Sequence, residues 1–453
     1  MRARPLSEIT GAIGGTLRGE DAVVTSVVTD SRTAEPGALF FALSGERVDG
    51  HDFVADALAR GAVGAVVSRP GLDGSVVEVA DTGRALLDLG ADERRRMPGV
   101  RVVGITGANG KTSTKDLAAA VLATRFSTYA SPGSLNNEIG LPVTLLGTPA
   151  GTEVLIAELG ARREGDVTML CRIARPDTVV VTNVGVAHME IFGSWDVIVR
   201  ASAEPVEALG PDGLAILNTD DVVVRSYAPR TDARVLTFGL APGADVRAEG
   251  VALDGSGRPS FVLSARGEHE PVELAVPGEH MVSNALAAAA CGVALGLTAA
   301  ECAAALKGAR ISAWRMETFT TADGVRVVND AYNANPESMV AGLKAARWMA
   351  HDGRLVAVLG HMAELGPIAL DEHEKLGQLI VRIGVDRLIT VGEPAEMIAR
   401  AAVREGHLPE DAASYGTAEE AVADVRAWVQ AGDVVLVKGS RVVGLERVAE
   451  GLR

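Results

Sequence analysis

Apolar residues along this chain fall in short β-type runs separated by longer stretches of helical spacing. Val100 to Ile105, Val154 to Glu158, Thr178 to Thr182 and Ala215 to Asn218 are each followed by or paired with helical patterns. Alternation of this kind predicts βαβ units, a mainly parallel sheet, and ligands at the carboxyl ends of its strands. A polar, Gly-rich interruption from Phe238 to Leu274 predicts a strand meander. The alternation restarts at Trp314, with Val325 to Val328, Leu355 to Leu359, Arg387 to Val391 and Val434 to Val437. Ahead of all this, short strand-like pieces (Val23 to Val28, Ala38 to Leu43, Gly64 to Val67, Ser75 to Val79) surround a helix-like Phe53 to Arg60. The pattern predicts an α/β chain of three domains: a small α/β domain over 1–98, a parallel-sheet domain over 99–312, and a Rossmann-like doubly wound domain over 313–453. The charged Glu93 to Pro98 stretch, closed by a proline, reads as the first linker.

Length agrees, since 453 residues at about 150 per domain suggest three. The aliphatic content (47% hydrophobic, 4% aromatic) reads as globular and excludes disorder. A net charge of −16 argues against a nucleic-acid partner, whose phosphates call for basic patches. Cys171, Cys291 and Cys302 form no C-x-x-C pair, so neither a disulfide framework nor a zinc site is expected, and a reducing, cytoplasmic setting is. Ala285 to Leu297 is Ala-rich but far short of the roughly 20 residues that span a bilayer, and reads as a buried helix. Arg2 and Arg4 are followed by Ser, Glu and Thr, without the apolar run of an export signal. No membrane association is expected.

Between Val100 to Ile105 and the helix-like Ser113 to Thr124 lies Gly104-Ile105-Thr106-Gly107-Ala108-Asn109-Gly110-Lys111-Thr112-Ser113. A glycine turn between strand and helix makes a phosphate cradle. The backbone points N–H groups inward, the helix N-terminus adds partial positive charge, Lys111 adds a full one, and Thr112 offers a hydroxyl to Mg²⁺. The common G-x-x-x-x-G-K-[ST] spacing would put glycine at 105, where Ile105 stands. Gly107, Asn109, Gly110, Lys111, Thr112 and Ser113 are the expected contacts of a nucleotide triphosphate, ATP. Glu158 ends one buried-type strand, and His188 lies in the loop after another. Lone residues of either kind commonly cap or face solvent. A phosphate loop on the neighbouring strand shifts the reading to Mg²⁺ ligands, with Thr112. Asp330-Ala331-Tyr332-Asn333-Ala334-Asn335-Pro336 and Lys438-Gly439-Ser440-Arg441 also follow strands, where a nucleotide or acidic substrate would bind, although Asn-Pro is equally an ordinary turn starter.

Together these strings resemble the Mur ligases of cell-wall synthesis, over nearly the whole chain. Asp30-Ser31-Arg32, Pro36-Gly37 and Asp49-Gly50-His51-Asp52-Phe53 resemble the family's uridine-nucleotide domain, which implies substrate contacts at Ser31, Arg32, Asp49 and His51. Gly107 to Thr112 resembles its ATP loop. Pro132-Gly133-Ser134-Leu135-Asn136-Asn137-Glu138-Ile139-Gly140 resembles its substrate-facing loop, implying Asn136 and Asn137. Glu158 and His188 match its magnesium ligands. Gly278-Glu279-His280 with Asn284, Trp314-Arg315-Met316-Glu317, and Asp330 to Pro336 match its adenosine and phosphate contacts, implying Asn284, Arg315, Asp330, Asn333 and Asn335. Lys438, Ser440 and Arg441 are taken as further substrate contacts. Asp330 to Pro336 and Met362-Ala363-Glu364-Leu365-Gly366 point to the branch that joins a UDP-linked muramoyl tripeptide to D-alanyl-D-alanine. The resemblance implies a monomeric ATP- and Mg²⁺-dependent ligase that phosphorylates a carboxylate, lets an amine attack the acyl phosphate, and releases ADP and phosphate. Lys111, Glu158, His188 and Arg315 would be its catalytic groups.

One place departs from the pattern. In the family, a carbamate-bearing lysine follows the magnesium histidine by fourteen residues, in a Lys-x-Glu string, and helps hold a second metal. Here that place reads Ser202-Ala203-Glu204, with Pro205 next in what should be helix interior. Three accounts stay open: Glu204, or a water on Ser202, replaces the carbamate; the enzyme uses one metal; or the chain is a paralogue joining a different acid and amine in specialised metabolism. Arg200 offers positive charge for the γ-phosphate. His361, where that branch commonly has an acid, and Met281, where the family usually has asparagine, favour the paralogue. A nucleotide-binding scaffold without catalysis is the rival of another class; the retained Lys111, Thr112, Glu158 and His188 argue against it.

Overall fold

In the computed structural model, which describes residues 1–45 and 48–453, three large sheets follow one another along the chain. The first has five strands, in the order Thr16–Arg18, Val76–Glu78, Gly64–Val67, Ala38–Phe41, Ser26–Val28. The third has six, with Glu317–Thr320 as an antiparallel edge on an otherwise parallel sheet.

The central sheet of nine strands carries the expected βαβ pattern and the expected meander. Its hub is Arg101–Thr106, which pairs in parallel with Val154–Glu158 on one side and Thr178–Val181 on the other. The two neighbouring strands are buried along their whole length, as continuous aliphatic runs in a parallel sheet must be. The loop after Arg101–Thr106 therefore opens where the chain switches sides, the place such sheets keep for ligands. Register puts Glu158 opposite Ile105 and Val181 opposite Thr106, so both following loops rise beside the glycine turn. Beyond Arg234–Gly239 the meander adds Val246–Leu253, Pro259–Ala265 and Glu268–Glu273, the last two pairings antiparallel. Burial alternates along Pro259–Ala265, which is why that segment lacked the solid apolar signature of its parallel neighbours.

Helix Lys111–Leu122 packs on Met281–Ala294, the Ala-rich segment, whose side chains are nearly all buried. Close approach depends on small residues. A Cβ on Gly292 would come within 2.7 Å of both Cys302 Sγ and Val121 Cγ1. Among the described residues no helix is long and apolar enough to cross a membrane.

The Glu93 to Pro98 stretch is not a loose linker. Glu93 to Arg95 form the last turn of helix Thr82–Arg95, and the Arg94 guanidinium is buried, donating to Ala174 O at 2.8 Å and Met97 O at 2.7 Å. Gly90 of the same helix backs onto Pro142, where a Cβ would meet Pro142 Cα at 2.9 Å. Charge gave no sign of this because one of the arginine's partners, Ala174 O, lies 80 positions along the chain.

Candidate active site

The glycine turn is held in shape by its neighbours. Gly107 has φ +138° and Gly110 φ +81°, where a Cβ would lie 2.1 Å from Thr182 Oγ1 and 2.2 Å from Asn284 Oδ1. Asn183 Oδ1 accepts from Asn109 N at 2.8 Å. Both glycines are required twice over, by dihedral and by space. Gly110→Ala is expected to cost about 1–3 kcal/mol of local strain and to abolish the rise in Tm that added ATP gives the wild type. An unchanged ATP-induced shift in thermal unfolding would refute this.

From the turn, Lys111 Nζ donates to Gly107 O at 2.6 Å. Burial pushes its ammonium pKa down; nearby Arg315 lowers it further, against the pull of Glu158. Thr112 Oγ1 donates to Glu158 Oε2 at 2.8 Å, while Asn136 Nδ2 donates to Oε1 at 2.8 Å. Arg315 Nη2 reaches from just ahead of strand Glu317–Thr320 to Thr112 Oγ1 at 2.7 Å and Ser134 Oγ at 3.0 Å, with its guanidinium over the Tyr332 ring, 4.0 Å from the centroid. Glu158 is 1% exposed, yet its carboxylate receives only neutral donors. A buried charge so placed favours a bound cation, and a carboxylate with an adjacent hydroxyl is the oxygen donor set that Mg²⁺ prefers.

His188 stands on the loop after Thr178–Val181 in a left-handed conformation, φ 60°. Its Nδ1 hydrogen-bonds the carboxylate of Glu364, itself at φ 61° and 3.7 Å from Arg162. Burial lowers the His188 pKa, with Glu364 acting in the opposite direction. Non-glycine residues in that conformation carry strain that surrounding contacts must hold, and here the contact joins the central and C-terminal sheets. Glu190 N also donates to Glu364 O at 3.0 Å.

The C-terminal sheet adds a braced wall. Asn335 caps helix Pro336–Ala350, its Oδ1 accepting from Ser338 N at 2.9 Å, with proline at the first helical position. The turn reading of Asn-Pro thus resolves into a helix start. Its free amide donates to Asn109 Oδ1 at 2.8 Å, stitching this wall to the glycine turn. Lys438 Nζ meets Asp330 Oδ2 at 2.5 Å and Asn333 O at 3.1 Å. Ser440 Oγ accepts from Ala363 N at 2.9 Å, and Arg441 lies over the Trp314 ring while pairing with Glu446 at 2.7 Å.

These walls enclose a cleft of about 670 Å³. Every expected nucleotide contact except Gly107 lines it, as do Glu158, His188, Asn136, Lys438, Ser440 and Arg441. Asn137 does not; it is exposed, and its Oδ1 accepts from Gly140 N at 2.9 Å in the turn that leads into helix Gly140–Gly147. Ser31, Arg32, Asp49 and His51 lie outside the cleft on the N-terminal domain. Arg32 folds back on Asp30 at 2.6 Å. His51 is buried between Asp49 Oδ1, 2.6 Å away, and Ser68 N, which donates to Nε2 at 2.9 Å. That pair braces a turn, and hydrogen bonding to His51 holds the Asp49 carboxyl down at about 2.

Arg200 is not near the cleft either: it pairs with Glu164 at the surface, 2.9 Å away. Sequence reading missed Ser134 and Glu364, which line the cleft, and Lys115, a buried lysine one helical turn after Lys111 that lies outside the lining and donates to Ser131 O and Gly133 O, both at 2.7 Å. The four-residue spacing on one helix was the available signal for Lys115. Glu364 gave none beyond its place in a family string.

A phosphate loop at a sheet switch point, a buried carboxylate and hydroxyl beside it, and a third domain closing its own arginine and asparagine over them define a three-domain P-loop ligase. Family models agree: the Mur ligase catalytic domain matches residues 23–106, the Mur ligase middle domain 105–292, and the Mur ligase glutamate ligase domain 314–441. The chain is 41% identical to the UDP-N-acetylmuramoyl-tripeptide–D-alanyl-D-alanine ligase of Mycobacterium tuberculosis, over 99% of this chain and 96% of that one. A crystal structure of MurF from Acinetobacter baumannii superposes with TM-score 0.89 at 31% identity, covering 100% of this chain and 99% of the other. MurF ligase from Thermotoga maritima, solved in complex with ADP, gives 0.82 at 29% identity, covering 95% and 97%. The chain belongs to the Mur ligase family.

Proposed function

We propose that this enzyme joins UDP-N-acetylmuramoyl-tripeptide to D-alanyl-D-alanine at the expense of ATP, in the cytoplasm and as a monomer. The observation that carries this is the convergence on one cleft of Lys111, Thr112 and Glu158 from the central domain with Arg315, Asn335 and Glu364 from the C-terminal domain. Near full-length identity to ligases bearing that substrate name supports the choice of acid and amine.

The triphosphate lies along the turn from Gly107 to Ser113, its charge met by backbone N–H groups and Lys111. Thr112, Glu158 and His188 would hold Mg²⁺, which supplies charge neutralisation on the phosphates when bound. A substrate carboxylate oxygen attacks the γ-phosphorus, the bond to the β-bridging oxygen breaks, and ADP leaves. Lys111 and Arg315 offset the charge spread over the transferred group. The neutral amine of the dipeptide then attacks the acyl carbon. The tetrahedral intermediate collapses by expelling phosphate, and the amine proton is lost to give the amide. Little covalent chemistry falls to the protein, so positioning carries the rate, and the Asn335–Asn109 and Glu364–His188 contacts hold the closed arrangement.

Purified enzyme given Mg²⁺-ATP is expected to release ADP only when both muramoyl tripeptide and D-alanyl-D-alanine are present, forming one amide per ADP. No turnover with that pair would reject the assignment. A second reading, a paralogue using another acid and amine, rests on Ser202 and Pro205. Turnover of a different acid–amine pair by the same assay would establish it.

A further inference from the structure

Helix Trp195–Glu207 carries Arg200, Ser202 and Glu204, and none of the three lines the cleft. Glu204 is 8% exposed and both its oxygens are committed. Oε1 accepts from Gly165 N at 2.6 Å; Oε2 accepts from Thr168 N at 2.8 Å and Thr168 Oγ1 at 3.0 Å. The carboxylate thus caps helix Asp166–Ala174, where it also meets the positive end of that helix dipole. Ser202 neighbours the phenol of buried Tyr227, whose hydroxyl donates to Val199 O at 2.7 Å. Arg200 is held by Glu164. This helix is therefore fastened to its neighbours and delivers no anionic oxygen to the nucleotide.

The cleft offers little in its place. Of its other carboxylates, Asp330 pairs with Lys438 and Asp221 accepts from Val184, Val223 and Val224 N. Glu364 is engaged with His188 and Arg162, and Glu337 is exposed at the rim. Among the described residues, no cluster of three or more His, Cys, Asp or Glu side chains gathers to hold a metal. Among these cleft carboxylates Glu158 alone is buried with no direct ion pair or backbone donor, Lys111 acting on it only through space. One such carboxylate, a hydroxyl and the nucleotide phosphates suit one hard divalent ion; a second needs further anionic oxygens to offset its dehydration. The two-metal, carbamate-dependent arrangement that the family resemblance implies does not fit these residues.

We infer that this chain binds its nucleotide with a single divalent cation and works independently of bicarbonate. The inference rests on the ligase reading for its nucleotide, and can be tested apart from the choice of acid and amine. The full chain is saturated with a non-hydrolysable ATP analogue and titrated with Mn²⁺, free Mn²⁺ being followed by electron paramagnetic resonance. One tightly held Mn²⁺ per enzyme is expected; two would overturn the inference. ADP release in solutions stripped of carbon dioxide is expected to match that with added bicarbonate, and a loss that bicarbonate restores would overturn it. Glu204→Gln is expected to lower Tm through the weakened cap and leave the Mn²⁺ count at one; a fall in the count would reinstate Glu204 as a ligand. One Mn²⁺ bound by a protein that fails to ligate the tripeptide would sink the substrate assignment and uphold the single-cation inference.

Discussion

Lys111→Ala is expected to lower kcat for ADP release by about 10²–10³-fold, the usual loss when one preorganised charge at a transferring group is removed. The ammonium is part-buried at the mouth of the turn, where its charge lies beside the place the transferred phosphoryl would occupy. The loop is shaped mainly by the backbone of Gly107 and Gly110 and by the Asn183–Asn109 bond, to which the lysine adds its hydrogen bond to Gly107 O at 2.6 Å. Folding should survive, with Tm near wild type, and the deficit should fall mainly on kcat, since the charge matters most in the transition state. Wild-type turnover by the alanine variant would remove the turn from the mechanism.

Lys438→Met carries the largest expected cost in stability. Lys438 is 2% exposed, its ammonium held by Asp330 and Asn333 O, its stem running along Gly342. Methionine fills a similar volume and leaves Asp330, part-buried in the cleft wall, with only Met316 N, at 3.1 Å, as partner. Breaking one side of such a pair costs about 3–5 kcal/mol, equivalent to a fall in Tm of roughly 6–20 °C. The double variant Lys438→Met, Asp330→Asn should regain much of the loss, because no unpaired charge remains. A single variant as stable as the wild type would show that the pair is not the brace described. Lys438, expected to touch substrate, lines the cleft and also fastens the loop carrying Asn333 and Asn335.

Legibility followed the range of the contacts. Gly107 to Ser113, Glu158 and His188 could be read because strand, turn and helix succeed one another locally, and a parallel sheet places each following loop at the same edge. Asn335-Pro336 could be read as a boundary though not as a cap, since only the fold shows Ser338 N receiving the side chain. Ser134 and Glu364 could not be singled out: one meets Thr112 across 22 positions and the other meets His188 across 176. His51 and Asp49 were read as ligand contacts from a family string, and the structure shows His51 buried against a part-exposed Asp49. Polar residues in a turn look alike in sequence whether they face a ligand or each other.

By itself the sequence determined the α/β alternation, the place of the glycine turn and the Ala-rich buried helix, since each depends on periodicity or on neighbours within one strand–turn–helix unit; the family came from the resemblance of motif strings spread over nearly the whole chain. The tertiary structure decided which polar side chains are free to act. Arg94, Lys438, Asp330 and Glu204 are consumed by partners far along the chain, whereas Glu158 is left buried with neutral donors alone. The reason is physical: a buried charge must find its counterpart in space, and sequence order carries little record of which distant atoms will meet it.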